Sequence, residues 1–372
     1  MNYTSDNRTI LTLDAGGTNL VFTAVRGSEQ VVEEITMPTH GDDLEKCMTS
    51  IFDGFSQVKS KLKVKPVAIS FAFPGPADYP NGIIGDLPNL PAFRGGVALG
   101  PALEEKFGLP VFINNDGDLY AYGEAIAGFL PYVNDLLERS GSPKRYKNLL
   151  GLTLGTGFGA GIVNDGKLYL GDNADSAEIW LLRSKLNPSM NVEEDVSIRA
   201  VRRAYAREVG IEFEKSPTPK EIFEIAVGKL AGNKHAALRS FQKMAEAAGD
   251  AISNVITLID GLVVIGGGLA GAADVFLPHL VNEMNGYFVG SDGNRFHRLS
   301  SKTYNLENED EMKKFLKGKT KEIPVYGTSK KIKYDPEMRI GVGISKIGTS
   351  KAISIGAYAF ALSMLDAVDQ KV

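Results

Sequence analysis

The stretch Ile10 to Val25, ILTLDAGGTNLVFTAV, sets two apolar runs of strand composition on either side of a short Asp-Ala-Gly-Gly-Thr-Asn turn. Ile10, Leu11 and Leu13 before the turn, and Val21, Phe22 and Val25 after it, are large or β-branched and suit paired strands. Gly16 and Gly17 accept backbone angles closed to other residues, and with no Cβ in the way they let a polyphosphate approach the backbone N–H groups. Thr18 adds a hydroxyl and Asn19 an amide at the same tip. Asp14 places a carboxylate at the end of the first strand, where a water-bound divalent cation beside phosphates is held. The same residues also fit a plain surface hairpin with a Gly-Gly turn.

A second copy weighs against the plain reading. Leu149 to Leu170, LLGLTLGTGFGAGIVNDGKLYL, runs an apolar strand into Gly155-Thr156-Gly157 and returns through Gly161, Ile162 and Val163. Both copies read Leu-Thr-Leu and then a turn of Gly and Thr, as two related lobes sharing one nucleotide would. A third glycine element, LVVIGGGLAGAADVFLPHLV, is an apolar strand, the triplet Gly266, Gly267 and Gly268, and a helix. Gly266, Gly268 and Gly271 also satisfy G-x-G-x-x-G, but MNGYFVGSDGNRFHR offers neither the parallel strand nor the acidic strand end that a dinucleotide fold requires.

The chain of 372 residues suits two domains, and its 43% hydrophobic and 23% charged composition is that of a globular protein. A formal net charge of -4 argues against a nucleic-acid or membrane partner bound through basic charge. Cys47 stands alone, and His40, His235, His279 and His297 are scattered, so neither a disulfide framework nor a Cys/His zinc cluster is expected. A reducing cytoplasm is the expected compartment. MNYTSDNRT is polar, and no run of some 18 apolar residues occurs anywhere.

Between these elements, Leu44 to Leu62 carries apolar residues at helical spacing, and a strand follows from Val67. Phe73 to Phe93, FPGPADYPNGIIGDLPNLPAF, is too rich in proline for regular structure and reads either as a rigid surface loop or as a shaped loop at a strand end, where Asn89 offers the donor and acceptor atoms that a hydroxyl-rich substrate needs. In LPVFINNDGDLYAYGEAIAG a short strand ends at Asn114-Asn115-Asp116 and a helix begins near Gly117. Asp116 there is either an acceptor of a substrate proton, kept ionised by the helix dipole, or one of several residues capping the helix. Residues 131–147 read as a polar surface excursion and 291–344 as a charged, irregular insertion. Glu221 to Leu230, Ala236 to Leu258 and Ser350 to Val368 read as helices, the last with small residues Ala352, Gly356 and Ala357 suited to close packing across the lobes.

Taken together, DAGGTN, PGPADYPNGIIGDLPNLP, NND followed by GE, LGTGFGAGIVNDGKLYLGDNADSAE and VVIGGGLA resemble the motifs of the ROK family of bacterial sugar kinases and repressors. That resemblance implies a two-lobed α/β fold of the actin-like ATPase (ribonuclease H-like) kind, with nucleotide and sugar in the interlobe cleft. The expected lobes are 9–118 plus 352–372 and 119–351. It further implies that Asp116 is the general base and that Gly75, Asn89, Asn115, Glu178 and Glu193 bind the sugar. Asp14, Gly16 to Asn19, Gly155 to Gly157 and Gly266 to Gly268 would hold ATP, with Mg²⁺ placed through Asp14. Two departures stand out: Glu178-Ile179-Trp180-Leu181 replaces the family's Glu-Ile-Gly-His, and the zinc-binding cysteines are missing.

The expected activity is phosphorylation of a hexose or N-acetylhexosamine hydroxyl by ATP. A non-catalytic sugar sensor is the alternative, without DNA binding because only about ten residues precede the first glycine hairpin. The expected partner is the small-molecule sugar, with a homodimer as the one assembly considered.

Overall fold

The computed structural model describes residues 3–85 and 90–369. It divides into two compact units, one of Met1–Gly128, Gly161–Ala177 and Ile347–Val372, the other of Phe129–Ala160 and Glu178–Lys346.

In the first unit β1 (Ile10–Ala15) pairs antiparallel with β2 (Asn19–Arg26), setting Asp14 opposite Val21. The short strands β3 (Glu29–Gln30) and β4 (Ile35–Pro38) extend the far side of β2. Helix α1 (Leu44–Lys61), capped by the Asp43 carboxylate on the Lys46 N–H, buries Cys47, Ile51, Phe55 and Val58 at three- and four-residue spacing. On the other side of β1, β5 (Ala68–Ala72) and then β6 (Val111–Asn114) pair in parallel. Alternate residues Leu11, Leu13, Ile69, Phe71 and Ile113 join the α1 stripe in one core, where the Phe55 ring meets the edge of Phe22 at 5.0 Å. The register aligns Asp14, Ala72 and Asn114 across three neighbouring strands, so their carboxyl ends finish in one row. Helix α2 (Asp116–Ile126) starts two residues beyond that row.

The proline-rich stretch after β5 is more regular than its composition predicts. Ala77–Asp78, Ile83–Ile84 and Val97–Ala98 form a small antiparallel sheet, since the prolines fall between the paired residues rather than on them. Asn89 lies outside the described residues.

The second unit opens with α3 (Phe129–Arg139), where a polar surface excursion was expected. Phe129, Leu130, Val133 and Leu137 form a narrow apolar stripe and are buried, which the charged residues between them obscure in the sequence. β7 (Leu149–Leu154) follows, and β8 (Phe158–Asn164) begins in this unit. Beyond Ala160 β8 belongs to the first unit, where Ile162–Asn164 pairs with β9 (Lys167–Tyr169). The second unit resumes with α4 (Ile198–Val209), α5 (Lys234–Ile259), β10 (Leu262–Gly266) and α6 (Ala273–Met284).

The expected insertion at 291–344 supplies two core strands instead. β11 (Lys302–Asn305) and β12 (Arg339–Ile344) complete a parallel set ordered β7-β10-β12-β11, with α7 (Glu309–Lys317) between them in the chain. Arg339 is buried against Asp335 and stacks on Phe315, so a charge that reads as surface lies inside. The hairpins Tyr287–Val289 with Arg295–His297 and Lys321–Pro324 with Lys331–Tyr334, and the charged side of α7 at Glu309, Asp310 and Lys313, match the surface expectation, with Tyr287, Phe288, Val289, Phe296, Ile332 and Tyr334 exposed.

The last helix, α8 (Thr349–Asp369), belongs to the first unit and packs on α2 backbone to backbone. A Cβ at Gly123 would lie 1.8 Å from the Ala352 carbonyl oxygen, and one at Gly356 would lie 1.9 Å from that of Leu119. The small residues of α8 therefore serve contact within this unit. Gly123→Ala or Gly356→Ala should lower stability by about 3 kcal/mol or more, since backbone rather than a side chain must give way. Gly271→Ala, which meets nothing within 4 Å, serves as the control. Thermal melts decide it, and a Gly123→Ala melt overlying the control would refute the close contact.

Candidate functional site

In the first unit the chemistry gathers where β1, β5 and β6 end. Asn114 is buried, and its amide oxygen accepts the Asn115 N–H at 2.8 Å. Asn115 then caps α2, its Oδ1 accepting the Gly117 N–H at 2.7 Å. The capping alternative weighed for this stretch thus applies to Asn115. Asp116 is the first residue of α2, and its Oδ1 shares the same Gly117 N–H at 2.8 Å.

Solvent reaches the Asp116 side chain, yet the protein around it removes enough hydration to push its carboxyl above the usual carboxylate range. The Gly117 N–H opposes that shift, and the negative charge of Asp14 adds to it. Asp14 itself is exposed at the end of β1. After β5, the Phe73 N–H bonds to the Asn114 carbonyl at 3.0 Å, and the Tyr79 hydroxyl donates to the Phe73 carbonyl at 2.9 Å. That hydroxyl would lie 3.0 Å from a Cβ at Gly75, so the start of the proline-rich segment is seated on Tyr79.

The tip from Gly16 to Asn19 is exposed and closed by a bond from the Gly16 N–H to the Asn19 carbonyl at 3.0 Å. Thr39, buried beside it, donates its hydroxyl to the Gly16 carbonyl at 2.7 Å and its N–H to the Thr18 carbonyl at 3.0 Å. Sequence reasoning missed Thr39, which lies beyond the end of β4, and the pairing of β4 with β2 brings it to the tip.

In the second unit Gly155, Thr156 and Gly157 turn the chain from β7 to β8, with the Gly155 N–H on the Gly157 carbonyl at 3.0 Å. The first N–H of α4, that of Ile198, meets the Gly155 carbonyl at 2.8 Å. Glu193 braces the same turn: Oε2 accepts the Phe158 N–H at 3.0 Å, and Oε1 accepts from Arg199 at 2.8 Å. A Cβ at Gly157 would come within 2.7 Å of that Oε2, so glycine makes room for the brace. Arg199 was not anticipated, since only the fold brings the start of α4 to this turn. At the end of β10, Gly267 has φ +84 and a Cβ there would lie 2.3 Å from the Leu154 carbonyl. The ends of β7 and β10 thus touch where only glycine fits. Glu178 accepts the indole N–H of Trp180 on its Oε2.

Gly17, Gly155 and Gly268 differ from these. Each lacks a positive φ, and a Cβ on any of them would meet nothing within 4 Å. Neither backbone conformation nor internal packing accounts for glycine there, whereas a phosphate lying against the backbone N–H groups does. Each of these turns, taken within its own unit, leaves backbone open enough for a phosphate oxygen. Among the described residues no group of three or more His, Cys, Asp or Glu side chains gathers to hold a metal ion, and no helix is long and apolar enough to cross a membrane.

Comparison with known proteins gives the same family as the motifs. The ROK family model matches residues 10–305. The crystal structure of a glucokinase from Parabacteroides distasonis is 54% identical, covering 98% of this chain and 99% of that chain at a TM-score of 0.89. An N-acetyl-D-glucosamine kinase of Vibrio cholerae is 26% identical over 69% of this chain and 83% of its own length. A ROK family glucokinase from Streptomyces griseus, in complex with glucose and AMPPNP, shares the fold at 19% identity and a TM-score of 0.58, over 94% of this chain and 98% of that one. The protein belongs to the ROK family.

Proposed function

We propose that this protein phosphorylates a sugar, transferring the γ-phosphoryl group of ATP to a hydroxyl of a hexose or N-acetylhexosamine. The observation that carries the reading is the Asp116 carboxylate, at the start of α2, raised in proton affinity and set beside Asp14 where the parallel strands end. Relatives named glucokinase and N-acetyl-D-glucosamine kinase support the sugar as acceptor, and the neighbour holding AMPPNP supports ATP as donor.

In this reading Asp116 takes the hydroxyl proton as the sugar oxygen bonds to the γ-phosphorus and the bond to the β-phosphate oxygen breaks. A carboxyl with raised proton affinity is a better acceptor than an ordinary aspartate, because a proton carried by a sugar hydroxyl is tightly held. The N–H groups at Gly17, Gly155 and Gly268 hold phosphate oxygens. Thr39 and the Glu193–Arg199 pair keep their turns from moving. Asn115, its oxygen committed to the helix, offers its amide NH₂ to the sugar, and Glu178 accepts a sugar hydroxyl. Gly75 and Asn89 belong to the segment assigned to the sugar. Asp14 would hold Mg²⁺ through water, and the ion supplies positive charge against the phosphates.

Coupled ADP release with ATP, Mg²⁺ and a panel of hexoses and N-acetylhexosamines should show sugar-dependent turnover. Asp116→Ala should cut it by about 10²-fold or more with nucleotide affinity nearly unchanged. Full activity in that variant, or no sugar-dependent turnover in the wild type, would defeat the reading.

In metal-free protein the Asp116 carboxyl, followed by ¹³C NMR, should titrate above the reference of about 3.9. Asp14→Asn removes the repelling charge and should move that midpoint down. An upward or absent shift would separate the two carboxylates.

A further inference from the structure

Trp180 donates its indole N–H to Glu178 Oε2 across the short turn Ile179–Leu181. Both side chains are half-buried, and Ile179 between them is fully buried, which pins the turn from below. The turn is also closed by the Leu181 N–H on the Glu178 carbonyl at 3.1 Å and tied onward by the Val192 N–H on the Leu182 carbonyl at 2.7 Å. The backbone bonds thus fix the turn, and the indole holds the carboxylate that the turn carries. Indole has a single N–H donor and no acceptor, so the bond works in one sense only, the ring donating and the carboxylate accepting. A glutamate has three side-chain torsions to fix when it binds a ligand, and here the rigid, two-torsion tryptophan fixes them beforehand.

We propose that Trp180 is a positioning residue that presets Glu178 for a sugar hydroxyl and so sets sugar affinity rather than turnover. This rests on the sugar-kinase reading above for what Glu178 binds. A contact made equally in the ground and transition states appears in KM and leaves kcat alone. Trp180 is the one tryptophan of the chain, so its emission reports on this contact without interference.

The test measures sugar affinity by calorimetry and ADP release by coupled assay, for the wild type, Trp180→Phe and Trp180→His, with D-glucose and N-acetyl-D-glucosamine as probes. Phenylalanine keeps the ring and loses the donor, whereas histidine restores a ring N–H. Trp180→Phe should bind sugar on the order of tenfold more weakly with kcat within about twofold, and Trp180→His should recover part of the loss. In the wild type, sugar should shift the tryptophan emission, a readout that stands even where a variant fails to fold. Unchanged sugar affinity in Trp180→Phe, a loss of kcat alone, or no emission change at sugar saturation would each overturn the proposal. A wild type that binds sugar without releasing ADP defeats the kinase reading alone, because the affinity ratio still decides the role of Trp180. Binding of neither sugar defeats both.

Discussion

The backbone contact between α2 and α8 is the constraint on which the first unit depends. Gly123 and Gly356 each sit in a helix interior, where glycine costs about 1 kcal/mol relative to alanine. The fold bears that cost twice because each glycine faces a carbonyl of the other helix. Gly161 on β8 adds a third close approach, for a Cβ there would lie 2.5 Å from the Gly117 carbonyl and 2.7 Å from the Asp118 Cα. Residues Gly117 to Glu124 are buried as a result, although this stretch carries an aspartate, two tyrosines and a glutamate. A helix held this closely cannot slide by a residue, and Asp116 is the residue at its start. Distant chain segments thereby fix the place of Asp116.

Glycine serves two opposite ends in this chain. At Gly123, Gly157, Gly267 and Gly356 a Cβ would strike an atom of the protein itself, so the fold explains the residue. At Gly17, Gly155 and Gly268 there is space and an ordinary φ, so the fold does not. The sequence motifs contain both kinds and do not tell them apart. Only coordinates divide those that let strands and helices touch from those that leave the backbone bare.

This division also explains what was legible in the sequence. The hairpin around Gly16, the strand ending at Asn114 and the start of α2 follow from local alternation and capping, and the structure has them within a residue or two. β11 and β12 escaped notice because each is short and stands among lysines and glutamates, and their partners lie far away in the chain. β12 reads Arg-Ile-Gly-Val-Gly-Ile, in which the charge at its head suggests surface until Asp335 and Phe315 are seen to enclose it. Thr39 and Arg199 are likewise invisible locally, since each acts on a turn that sequence separates from it. Asn89, read as a sugar ligand, lies outside the described residues.

The carboxylates around the glycine turns show how one chemical group is given different work. Glu193 has both oxygens engaged, one by a backbone N–H and one by a guanidinium, so its side chain is held in place. Glu194 goes further, with Arg203 and Arg199 holding its carboxyl below the usual range. Such groups make good struts and poor bases, because protonating them forfeits charged hydrogen bonds. Asp116 has the opposite surroundings: reduced hydration and a neighbouring negative charge outweigh its one strong N–H partner. Taking up a proton there relieves a repulsion instead of breaking a pair. Among the carboxylates placed at these turns, the environment that makes proton acceptance easy is found at Asp116, and it follows from where the strand ends and the helix begins.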